Sequence, residues 1–169
     1  MGGTVMKIFD IHIHIYPEKI AKRASESISN FYFGAPVRGD GTLEDCLVKM
    51  DEAGIQRFAA HSVATTPHSV DSINEFILAA ARKVPERIVP FAAIHPDMPD
   101  MDAAMDKIVR QGFRGLKIHP DMQQYALDGE RAMPMLRAIA ESGLPLLIHC
   151  GDSRYDFDGP HRILSLHEK

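Results

Sequence analysis

FDIHIHIYP, residues 9–17, alternates apolar and polar side chains and reads as a buried β-strand. Successive side chains on a strand point to opposite faces. His12 and His14 therefore share one face, with Asp10 behind them on it. Two neighbouring imidazoles in an apolar setting are costly unless their ring nitrogens find partners. A divalent metal satisfies both at once, because neutral imidazole is a good zinc or iron ligand. The plainer alternative is a wetted strand face on which each histidine bonds water or main chain.

Four further apolar runs read as strands: RFAAHSVA, RIVPFAAIH, FRGLKIHP and LPLLIHC. Helical periodicity fills the gaps between them. Residues 42–53 open with Thr42 as N-cap and Asp45 three positions on, with Leu43, Leu47 and Met50 on one face. Residues 71–84 carry Ile73, Phe76, Ile77 and Ala80 on one stripe before Pro85. Helices are also predicted over 100–111 and over 128–142, the latter opening at Asp128 with Pro134 near its first turn. Glycine followed by an apolar residue ends three of them, at Gly54, Gly112 and Gly143. IHPDM occurs at 94–98 and again at 118–122, each time closing a strand, which marks equivalent positions in successive units. The order of strands and helices implies an α/β fold with a parallel sheet and right-handed crossovers. Residues 17–41 break the period. They hold an amphipathic piece, then NFYFGAPVRGDG, a packed loop or a lid.

At 169 residues the expectation is one domain, 1–169, large enough to bury a core. A formal charge of −4 offers no basic stripe for nucleic acid. Cys46 and Cys150 are too few for a disulfide framework, which points to a reducing compartment. No apolar run reaches the roughly 18 residues of a membrane span, and MGGTVMKIF is too short for a signal peptide. A cytoplasmic chain is the expectation, with Met6 as a second potential start.

Ligands of parallel α/β folds bind at the carboxyl ends of the strands. His12, His14, His95, His119 and His149, five of the nine histidines, fall on that edge. A strand exit in which histidine caps a carbonyl would account for His95. For the set, a metal centre is the better reading, with hydrolytic or other Lewis-acid chemistry. Lys117 shares a face with His119. It could bind an anionic substrate group, bridge metals as a carbamate, or snorkel to solvent. Asp10 suits a partner that orients an imidazole, and Asp152 and Arg154 follow His149 on the next loop.

The pattern D-x-H-x-H-x-x-P at Asp10, His12, His14 and Pro17, with GLKIHP at 115–120 and LPLLIHCG at 144–151, resembles the amidohydrolase superfamily. The branch it is most similar to is the amidohydrolase-related group that includes aminocarboxymuconate-semialdehyde decarboxylase. The resemblance implies a TIM-type (β/α)8 barrel with a divalent metal, typically zinc, held here by His12, His14 and His149. Lys117 and His119 are then the candidate catalytic residues. The implied function is hydrolysis of a small carbonyl or carboxylate compound by metal-activated water, or metal-dependent non-oxidative decarboxylation.

The chain departs from that pattern in length, since a TIM barrel takes at least roughly 200 residues. It accounts for the first five β/α units, and the family's eighth-strand aspartate and sixth-strand histidine have no counterpart in it. The expectation is a fragment of a longer protein or a truncated product. Its open sheet edges favour a homo-oligomer or association with the missing C-terminal half. A catalytically inactive half-barrel is the second reading and a flavodoxin-like domain the third. HIYPEK after the first strand is no phosphate cradle, which counts against the third.

Overall fold

The structure is a computed structural model that describes residues 7–152 and 154–167. Met6, the second potential start, lies outside the described residues. Five strands alternate with helices: β1 (Ile8–His14), α1 (Glu18–Phe31), α2 (Leu43–Glu52), β2 (Ile55–His61), α3 (Val70–Lys83), β3 (Ile88–Ala93), α4 (Met101–Gln111), β4 (Gly115–Ile118), α5 (Pro120–Gln123), α6 (Met133–Ser142), β5 (Leu146–Ile148) and α7 (Pro160–His167). All strand pairs are parallel, in the order β1-β2-β3-β4-β5. Each strand of the sequence reading is present, and so is the predicted helix in each gap.

Local chemistry explains most boundaries. The Thr42 hydroxyl accepts from the Asp45 amide at 3.2 Å and starts α2, while the Asp100 carboxylate accepts from Ala103 at 2.9 Å and starts α4. Gly112 and Gly143 end α4 and α6 in the left-handed region, where a side chain would be strained. One boundary differs from the reading. The helix expected over 128–142 begins at Met133, because residues 126–132 form successive turns, with Gly129 bonded to Ala126 and Ala132 to Gly129. Asp128 instead takes an ion pair with Arg162.

The residues fall into two compact units. One holds the described residues through Ser62 together with Phe76–Pro90. Its buried apolar residues include Ile15, Leu43, Phe58, Ala59, Ala60, Ile77 and Ile88. β1 is an edge strand there, and Phe9 and Ile11 stand 46% and 55% exposed, so the strand is less buried than its isoleucines suggest. The other unit comprises Val63–Glu75 and the described residues from Phe91 onward. Leu116, Ile118, Leu127, Met135 and Ile139 are among its core. Two buried amide side chains tie its backbone. Asn74 donates to Ala93 O at 3.0 Å and accepts from Ala93 N at 2.8 Å. Gln123 donates to Ala64 O and Ile94 O and accepts from His119 N, at 2.8–2.9 Å.

Candidate functional site

In the first unit, the carboxyl ends of β1 and β2 bring three imidazoles together. The register runs Asp10↔Phe58 and then Ile13↔Ala60, so β1 carries one residue more than β2 over this stretch, a β-bulge at Ile11–His12. A bulge withdraws an amide from the ladder and re-aims the side chains around it. Asp10 Oδ1 accepts the freed His12 main-chain N–H at 2.9 Å. Asp10 thus reaches the His12 backbone, a different contact from the imidazole partnership expected of it. His12 and His14 do share a face. Their Nε2 atoms are 3.2 Å apart and their rings are tilted by 49°. His12 is exposed and His14 half-buried, so the setting is more open than an apolar strand would make it. His61, the last residue of β2, joins them, fully buried, and one ring nitrogen from each of the three lies within 4.8 Å of the others.

The second unit gathers a buried polar cluster after β4 and β5. His119 and His149 stack face to face, ring centroids 3.7 Å apart and planes 10° from parallel. Asp158 lies beside them, fully buried, and accepts from the Gly151 amide at 3.2 Å. His119 Nδ1 accepts from the Met122 amide at 3.4 Å, which places the proton of the neutral ring on Nε2. Burial pushes the His149 imidazole below its ordinary value, against the nearby Asp158 charge. Lys117 is 1% exposed, and its ammonium is buried without a hydrogen-bond partner among the described residues, so it does not snorkel. Burial lowers it to about 8, again opposed by Asp158. Asp121 is raised to about 7, by burial first and by Asp158 second.

The remaining expected positions have local partners. His95 Nδ1 accepts from the Asp97 amide at 3.2 Å, capping an N–H where a carbonyl was expected. Arg154 donates to Asp152, and that guanidinium lowers the carboxyl to about 2. Of the expected metal ligands, His12 and His14 meet with His61, while His149 sits with His119 and Asp158. Two members of these groups were not singled out from sequence. His61 carried the same signal as the others, a histidine closing a strand. Asp158, among the charges of DSRYDFDGP, carried none.

The sequence profile of the family described as Amidohydrolase matches residues 9–166. The chain belongs to the amidohydrolase family. A comparison with curated protein sequences returns no match. Among solved structures, this family member is similar to a 5-carboxyvanillate decarboxylase variant from Novosphingobium aromaticivorans, with bound manganese and a nitrobenzoic acid. The TM-score is 0.67 at 19% identity, over 86% of this chain and 51% of the other. A dihydroxybenzoic acid decarboxylase from a Polaromonas species, with manganese and 2-nitroresorcinol, gives 0.61 at 16%, over 85% and 49%. A 4-oxalomesaconate hydratase from Rhodopseudomonas palustris gives 0.56 at 19%, over 84% and 52%. The chain spans about half the length of these structures. Their likeness shows the fold of this amidohydrolase chain: the first five β/α units of a TIM-type barrel. No described helix is long and apolar enough to cross a membrane.

Proposed function

We propose that this chain supplies the N-terminal β/α units of a metal-dependent decarboxylase acting on a small carboxylic acid, with His12 and His14 as metal ligands. The observation that carries the reading is the convergence of the two imidazoles at the bulged end of β1, Nε2 to Nε2 3.2 Å. Two donors on one divalent ion at about 2.0–2.1 Å each lie roughly 3.3 Å apart at a tetrahedral angle, so the pair fits a shared ion. His149, the third ligand that the family resemblance implies, lies in the second unit with His119 and Asp158. When bound, the metal supplies Lewis-acid polarisation of a substrate oxygen. Zinc is the expectation from the family at large. Manganese is supported by the ion in two of the similar structures.

Lys117 and His119 are the proposed substrate-handling groups. A buried ammonium without a hydrogen-bond partner favours a carboxylate over water, and a value near 8 leaves it largely charged at neutral pH. The Nε2–H of His119 is a fixed donor for an oxygen of the bound acid. Decarboxylation is favoured over hydrolysis by the activities named for two of the similar structures. Exposed Phe9 and Ile11 on the edge strand support association, with a second copy or with further strands of a barrel. A cytoplasmic location is part of the same proposal, supported by the free thiols of Cys46 and Cys150.

The test uses the natural gene product that carries this chain, purified and loaded with Mn2+ or Zn2+. It is offered hydroxylated benzoic acids and, separately, small lactones and amides. Metal-dependent CO2 release that is lost in the His12→Ala/His14→Ala double variant is the expected result. Ring opening or amide cleavage without CO2 would replace decarboxylation by hydrolysis.

A further inference from the structure

His61 closes β2 as the register partner of His14. Its ring centroid lies 4.5 Å from that of His14 with the planes at 87°, and 4.9 Å from that of His12 with the planes at 61°. The lone pair of an imidazole nitrogen lies in the ring plane. Rings that are mutually tilted can therefore aim nitrogens at one point, whereas rings stacked face to face cannot. The contrast is visible within this chain. An ion midway between His119 and His149, which stack at 3.7 Å and 10°, would sit far out of both ring planes.

We infer that His61 is a third imidazole ligand, completing with His12 and His14 a three-histidine divalent-cation site at the ends of β1 and β2. The inference deepens the proposed metal reading and rests on it. One ring nitrogen of each residue lies within 4.8 Å of the others, and the His12–His14 separation already has the length of a coordination edge. Three neutral imidazoles add no charge, so the ion keeps its full Lewis acidity, with positions left for substrate or water. The surroundings hold the set in place. Phe58, Ala59, Ala60 and Ile15 are fully buried around the strand end, and Ser62 Oγ donates to Ile15 O at 2.9 Å across the two strands. Asp10 fixes the main chain of His12, and the Tyr16 ring stacks along His14, 6.4 Å away and 13° from parallel. His61 is fully buried, so the side chains packed around it restrict its ring.

The experiment loads the purified chain with Mn2+ and measures affinity by calorimetry and the number of coupled histidine nitrogens by electron spin-echo modulation. His61→Gln and His61→Phe, which keep the volume, are measured beside it, with circular dichroism to establish folding. At least roughly tenfold weaker binding in both variants, with one fewer coupled nitrogen in the residual complex, is the expected result. Parent-like affinity and an unchanged nitrogen count in a folded variant would overturn it, leaving the His12–His14 reading intact. A parent chain that binds no Mn2+ would overturn both. Should the variants not fold, ring-nitrogen shifts of the 15N-histidine-labelled parent, titrated with Zn2+, decide the matter. His61 moves to a metal-bound shift with His12 and His14, or it stays while they move.

Discussion

Gly115 on β4 and Phe91 on β3 are register partners, and the Phe91 ring fills the space that a side chain at Gly115 would need. A Cβ added there would meet three ring atoms at 2.5–2.8 Å. Gly115 does not have a positive φ, so the demand for glycine is steric. The predicted cost of Gly115→Ala is about 1–3 kcal/mol of overpacking, read from urea unfolding. Adding Phe91→Leu should return part of it. Independent, additive losses in the double variant would mean that the ring contact is not the cause.

The two-way bond between Asn74 and the Ala93 main chain is buried, so removing it leaves an amide and a carbonyl without partners. Asn74→Ala is expected to lower stability by roughly 2–4 kcal/mol. Asn74→Asp keeps the acceptor for Ala93 N but loses the donor to Ala93 O. Its amide exchange at Ala93 should stay slower than in the alanine variant, and equal rates would contradict the assignment.

Gln123 makes three hydrogen bonds, two given and one received, and the last of these holds the main chain of His119. Gln123→Met preserves length and removes all three. A loss of about 2–4 kcal/mol should appear as a lower urea midpoint with an unchanged slope. A changed slope would instead indicate altered compactness.

Asp121 makes stability fall as pH rises. Its folded value of about 7 lies above the ordinary 3.8, so the folded chain holds the proton more tightly. Below about 4 the carboxyl is protonated in both states and its contribution is complete. Between about 4 and 7 the unfolded chain releases the proton while the folded chain keeps it, and stability declines. Above that range the loss is full. In Asp121→Asn this decline should be absent. The difference between parent and variant, followed by urea midpoints from pH 4 to 8, should shift steadily towards the variant. Parallel profiles would exclude the carboxyl as the source.

Much of the fold was legible because its signals are local. Strand alternation, the Thr42 cap and the glycine stops at 112 and 143 each depend on a few neighbouring residues. The helix expected from Asp128 starts later, at Met133, for a non-local reason. Its supposed first residue pairs with Arg162, thirty-four positions away, and turns occupy the intervening segment. The candidate histidine groups were legible by position and incomplete by membership. Strand-end histidines stood out, yet Asp158 had no sequence mark, since carboxylates in a charged loop usually face water.

The order of strands and helices, their parallel sense and the facing of His12 towards His14 follow from the chain alone, because backbone periodicity dictates them. Tertiary structure decided which charges lose their water. It buried Lys117 between neighbours far apart in sequence, set Asp121 beside an aspartate from a later loop and turned His61 inward onto the first strand. Desolvation and ring orientation are properties of atoms that meet only after the chain has folded, and those atoms are the ones that carry the proposed chemistry.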